Sequence, residues 1–135
     1  MFVRVSGTDW LPDCESWTPD QSARLADLLA DAGANLIDVS SGGIYPDQQL
    51  PAGGPNYQVP LAERIREGSD SDVAIGAVGG ITTPEQADAL IRNDRADLAI
   101  VGREHLRDPY FAMRAATELD ALDRVNVPAQ YDRVF

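Results

Sequence analysis

Four short apolar runs recur along the chain, and each is followed by a stretch whose apolar positions return at helical spacing. The runs are Phe2–Ser6 (FVRVS), Leu36–Val39 (LIDV), Val73–Val78 and Leu98–Val101. Their length and β-branched content predict strands. From Asp20 to Ala32, residues Ala23, Leu25, Ala26, Leu28, Leu29 and Ala32 fit one helical face. Thr18-Pro19 supplies an N-cap with proline at the first helical position, and Gly33 a C-terminal stop. Pro60 opens a short helix over Leu61–Glu67, closed by Gly68. Thr82 or Thr83 caps a helix begun by Pro84 and running through Glu85–Arg92. Pro109–Leu119 gives a last amphipathic helix, with Phe111, Ala112, Ala115, Ala116 and Leu119 as its buried side. Gly7–Asp20 and Ile44–Tyr57 read as loops, Ser69–Asp72 as a polar turn, and Asp120–Phe135 as an irregular tail.

The order is therefore β-α repeated four times, and the strands are apolar throughout, which predicts a parallel sheet covered on both faces. A doubly wound nucleotide fold carries its glycine-rich turn after the first strand. Here the first strand ends Arg4-Val5-Ser6, and the glycines gather after the later strands. That favours an arc of a barrel, and since a closed barrel needs eight strands, four make half of one. The fold class expected is α/β, a (βα)4 half of a TIM (β/α)8 barrel. Residues 1–119 form the half-barrel and residues 120–135 the tail.

The segment Ile75–Glu104 holds the clearest candidate chemistry. Its first strand stops at Gly79-Gly80 and its second at Gly102-Arg103. Glycine at successive strand ends exposes backbone N–H groups, and an adjacent arginine pairs with phosphate. After the last two strands of a barrel, that is the usual phosphate site. The competing reading is a pair of plain strand-to-helix turns.

Composition narrows the partners. The net charge of −11 argues against nucleic acid. All eleven basic residues are arginine, lysine is absent, and aspartate far outnumbers glutamate. A surface of that kind keeps a protein soluble in high salt, which suggests a salt-loving source. No apolar run approaches the roughly 20 residues of a membrane helix, and MFVRVSGTDW lacks the pattern of a signal or transit peptide. Cys14 stands alone, so no internal disulfide forms, which points to a reducing, cytoplasmic setting. The acidic turn Ser69–Asp72 reads as solvated and not as a metal site. His105, the one histidine, reads as a surface or packing residue, and Trp10 and Trp17 as packing for the first loop.

Several segments in order carry a resemblance: FVRVSGTDW, AGANLIDVSSGG, NYQVPLAERIRE, AIGAVGGIT, ADLAIVGREHLRDPYFA and PAQYDRVF. Together they resemble the C-terminal half of the old yellow enzymes, FMN-dependent NAD(P)H oxidoreductases and ene-reductases, in the bacterial thermophilic-like NADPH dehydrogenase branch. The resemblance covers essentially the whole chain. It implies that Arg4 lies against the N1/O2 edge of FMN, where a fixed cation favours the reduced ring. It also implies that Gly79, Gly80, Gly102 and Arg103 cradle the FMN phosphate. Gln130, Tyr131 and Arg133 resemble a segment that crosses a dimer interface, its arginine helping to line the neighbour's active site. A bland alternative for Arg4 is an ion pair with a carboxylate such as Asp38. Ser40, Ser41 and Gly42 sit at the barrel mouth with no assigned chemistry.

The resemblance further implies that the substrate-binding His pair, the tyrosine proton donor and the groups at the flavin N5 edge belong to the other half-barrel, so no catalytic residue is expected in this chain. Three readings follow. One is the FMN-binding part of an enzyme passing hydride from NAD(P)H through FMN to an activated alkene, completed by a missing N-terminal half or by self-association. The second is a non-catalytic phosphate- or flavin-binding half-barrel, and the third an inactive gene remnant. A dihydroorotate-type dehydrogenase is a more distant option, and a Schiff-base aldolase would need a lysine.

Overall fold

In the computed structural model, which describes residues 1–131, 133 and 134, four parallel strands stand side by side in sequence order. They are β1 (Phe2–Ser6), β2 (Leu36–Ser40), β3 (Ala74–Val78) and β4 (Leu98–Ile100). Asp132 and Phe135 of the expected tail lie outside the described residues. A doubly wound sheet reverses its strand order at a switch point. This sheet does not, so each new strand is added on the same side, as in an arc of a barrel.

The register separates the two faces. Val3, Ile37 and Ile75 lie in one row, and Val5, Val39, Ala77 and Ala99 in the next. All of them pack into a single core with Ala23 and Ala26 of α1 (Pro19–Asp31), Val59, Ala62 and Ile65 of α2 (Val59–Gly68), and Leu90 of α3 (Pro84–Arg92). Burying each Val, Leu or Ile contributes about 1.5–3 kcal/mol, so this layer carries the stability of the fold. The opposite face bears Phe2, Arg4, Leu36, Asp38, Gly76 and Leu98. Phe2 and Leu98 remain 73% and 42% exposed there. The expectation that helices cover both faces therefore gives way to one helical layer and a face without helices, where the outer-strand Phe2 and Leu98 are exposed and the inner Leu36 and Asp38 are buried.

Helices α1 and α3 start where the sequence chemistry directs. Thr18 accepts from the Gln21 amide, and Thr83 does the same for Gln86, each closing a reciprocal capping box. That resolves the choice between Thr82 and Thr83. Gly33 stops α1 at φ 93. Gly68 acts differently from expectation. It is the last residue of α2, where a Cβ would sit 3.1 Å from the Ala23 Cβ, so it serves the contact between α1 and α2.

Some boundaries also shift. Helix α2 begins at Val59, β3 at Ala74, and β4 ends at Ile100. An unforeseen helix, α4 (Arg103–Arg107), starts at the arginine expected to close a strand. The last helix, α5, is shorter than expected (Phe111–Glu118), and 3-10 turns at Leu122–Arg124 and Ala129–Tyr131 give the tail local structure.

The Ser69–Asp72 turn is organised by α1. One Asp27 carboxylate oxygen accepts from the Ser69 hydroxyl at 2.6 Å and from the Asp70 and Ser71 amides at 3.0 and 3.1 Å. The Ser69 hydrogen bond is the main reason that the Asp27 carboxyl is held below its ordinary value.

Candidate functional site

All four strands end at the same edge of the sheet, and the segments leaving them enclose an open cleft of about 1080 Å³. Its lining brings together Arg4 from β1, Ser40 at the end of β2 and Ser41 after it, Gly79 and Gly80 after β3, and Gly102 and Arg103 after β4. Of the residues singled out from sequence, Arg4, Gly79, Gly80, Gly102 and Arg103 thus share one site. Gln130, Tyr131 and Arg133 are not part of it. Tyr131 instead sets its ring edge-on to Tyr110, centroids 5.6 Å apart, with the two hydroxyls at 3.1 Å. His105 lies exposed on α4 with Nε2 3.1 Å from the Pro109 carbonyl.

The loop after β2 builds one wall of the cleft through Leu50, Pro51, Gly53, Gly54 and Pro55. Gln48 Nε2 donates to the Asp9 carbonyl at 2.7 Å, and the Gln49 amide to the Trp10 carbonyl at 2.8 Å. The long loop after β2 is thereby tied to the loop after β1, and Leu50 packs over Gly42. Trp17 Nε1 donates to Ser22 Oγ at 2.6 Å, which fastens the first loop to α1.

Gln58 joins the remaining wall. It is buried, its Oε1 accepts from Ser41 Oγ at 2.7 Å, and its Nε2 donates to the Val78 carbonyl at 3.3 Å. The ends of β2 and β3 are bridged by this one amide. Gly79 and Gly80 have φ of 120 and 68. A Cβ on Gly79 would come within 2.7 Å of Gln58 Nε2, and one on Gly80 would overlap the Gly54 carbonyl. Glycine is required here by conformation and by the close approach of the loop.

Arg103 is one of four charged residues lining the cleft, with Arg4, Glu104 and Arg107. It is exposed, and among the described residues it has no ion-pair partner, although the chain holds 22 carboxylates. The neighbouring Glu104 is engaged by Arg107 at 3.2 Å. A cation left unpaired at the mouth of a cleft in so acidic a protein is available to an anionic ligand.

Arg4 is differently placed. Its Nε donates to Asp38 Oδ2 at 2.6 Å across the β1–β2 register, so the ion-pair alternative for this residue is realised. The Arg4 side chain is nevertheless 62% exposed and lines the cleft. Asp38 is buried, and its Oδ1 has no hydrogen-bond partner among the described residues. An ion pair with one exposed member contributes about 0–1 kcal/mol, whereas a buried unsatisfied oxygen costs about 1–3 kcal/mol. The pair is therefore no net source of stability.

Sequence reasoning missed Gln58 and gave Ser41 no role. The signal for Gln58 was weak, since a glutamine between a loop and Pro60 looks like an exposed polar residue. No group of three or more metal-ligating side chains occurs among the described residues, and no helix there is long and apolar enough to cross a membrane.

Comparison with known proteins adds sequence relationships to this geometry. The profile of the NADH:flavin oxidoreductase / NADH oxidase family matches residues 1–121. An NADPH dehydrogenase of Bacillus pumilus is 43% identical over 135 residues, which cover 100% of this chain and 38% of the relative. One from Listeria monocytogenes is 44% identical over 138 residues, again covering 100% of this chain and 38% of the relative. One from a Geobacillus species is 41% identical over 133 residues, covering 98% of this chain and 37% of the relative. The chain thus spans 38% of the length of the first of these curated relatives.

Proposed function

The chain belongs to the NADH:flavin oxidoreductase / NADH oxidase family, and from that premise we propose that its cleft is the FMN-binding part of an NAD(P)H-dependent oxidoreductase. The observation that carries this reading is the convergence of Gly79, Gly80, Gly102 and Arg103, which has no ion-pair partner among the described residues, with Arg4 in one cleft. Bound FMN supplies hydride transfer between NAD(P)H and an acceptor. The chain's own residues hold and orient it. The Gly79-Gly80 turn and Gly102 let the backbone approach a phosphate closely, and Arg103 provides the charge-assisted pair. Arg4, on β1, would present a cation to the ring of the bound flavin.

The fit is chemical as well as spatial. Arg103 has no carboxylate competing for it among the described residues, and the cleft is large enough for a cofactor. Substrate chemistry and the groups that complete it belong to the remainder of a barrel, and the relatives' greater length supports that division. An activated alkene as acceptor rests on the old yellow enzyme resemblance, a cytoplasmic setting on the lone Cys14, and a tail of Gln130, Tyr131 and Arg133 reaching a neighbouring subunit again on the resemblance. Turnover of such an alkene by the full-length protein, and sedimentation with and without residues 120–135, read the first and last of these. The second reading, a binding module without turnover, shares the cleft and differs only in the absence of hydride transfer.

The test is equilibrium titration of the chain with FMN, followed by flavin fluorescence. Arg103→Ala is expected to weaken binding at least about tenfold, the loss of one charged hydrogen bond of about 1.5–3 kcal/mol. Unchanged affinity in that variant removes Arg103 from the cradle.

A further inference from the structure

We propose that Asp38 is a positioning residue for Arg4. It pins the guanidinium of this cleft-lining arginine by its Nε edge, leaves both Nη groups without a hydrogen bond to a described residue, and sets the net charge that the pair presents to a ligand ring. The identity of that ring rests on the FMN reading above; the positioning rests on geometry alone.

Asp38 is out of place on structural grounds. It lies in the middle of β2, between the buried Ile37 and Val39, in a strand paired on both sides. Charged residues are almost never buried this way unless paired, and a valine would serve the sheet better. Its pairing is incomplete, because Oδ1 is buried with no partner among the described residues while Oδ2 accepts from Arg4 at 2.6 Å. A carboxylate kept at such a site is a candidate for function before stability.

The geometry states what that function is. Arg4, Asp38, Gly76 and Leu98 form one row across the face of the sheet turned away from the helices. Gly76 puts no side chain beside Asp38, and a Cβ there would meet Ile100 Cδ1 at 2.7 Å. The carboxylate is therefore free to lean toward Arg4 alone. A guanidinium is planar, so fixing Nε fixes the direction of both Nη groups. Neither Nη makes a hydrogen bond to a described residue. An exposed arginine without this anchor would lose rotamer freedom on binding, and the anchor removes that cost. The carboxylate also offsets part of the arginine's charge, so the cleft presents less positive field than Arg4 alone would give.

Two variants separate the roles. Asp38→Asn keeps an oxygen acceptor for Nε but removes the charge, whereas Asp38→Ala removes both. By NMR, without flavin, the Arg4 Nε–H resonance (assigned by its loss in Arg4→Lys) should exchange slowly in wild type and Asp38→Asn and at least about tenfold faster in Asp38→Ala. With FMN bound, Asp38→Asn should keep affinity within about threefold and favour flavin reduction by about tenfold, or about 30 mV for two electrons. Asp38→Ala should bind FMN more weakly. A protected Nε–H in Asp38→Ala, or an unmoved potential in Asp38→Asn, overturns the proposal while FMN uptake by wild type leaves the cleft assignment standing. No FMN uptake by wild type overturns the ligand reading and the charge-setting role together.

Discussion

At Gly80 the backbone has φ 68 and the Gly54 carbonyl occupies the space a side chain would need. Gly80→Ala meets both obstacles, a left-handed strain of about 1–3 kcal/mol and displacement of the loop that walls the cleft. The variant is expected to lower stability by at least about 1 kcal/mol in urea denaturation and to weaken FMN binding. Gly53→Ala, facing open space, should change stability by no more than about 0.5 kcal/mol. Equal effects would show that the close approach at Gly80 is not what holds the loop. Much at this scale was legible beforehand. Glycine and arginine at strand ends show their place at the cleft through residue type. Gln58 and the buried state of Asp38 do not, because a polar residue in sequence carries no mark of what will be packed over it.

Elements with strong local codes were also readable. The capping boxes at Thr18 and Thr83 and the prolines behind them mark helix starts without any tertiary information. Helix α4 was not readable, since REHLR offers one apolar residue, Leu106, which is 84% exposed. The Asp27 contact shows what tertiary structure adds, as it ties α1 to the turn between α2 and β3. Asp27 is held below the ordinary aspartate value of 3.8, chiefly by the Ser69 hydroxyl. A depressed folded-state value means that its contribution is fully present above 3.8 and is lost as the pH falls through the folded value. Asp27→Asn should therefore destabilise the protein at pH 7 and flatten its loss of stability in acid. An acid limb unchanged by the substitution would place the pH dependence elsewhere.

For the molecule as a whole, strand order decided between two architectures that share the same β-α alternation. The late position of the glycines pointed toward a barrel arc, and the sequential sheet with its single helical layer has that form. The exposure on the helix-free face could not be read from the apolar pattern, because Phe2 and Leu98 look as hydrophobic as the residues on the packed face. Net charge acts at this scale too. With −11 and no lysine, thermal stability should rise between about 0.1 M and 1 M salt as surface repulsion is screened, and equal stability would argue against a salt-loving source. On the reading proposed above, the cleft holds a flavin by its phosphate. Parallel titrations with FMN and with riboflavin, which lacks the phosphate, test it most directly. FMN is expected to bind at least about tenfold tighter, with Arg103→Ala erasing most of the difference. Equal affinity for the two in the wild-type chain would contradict the account.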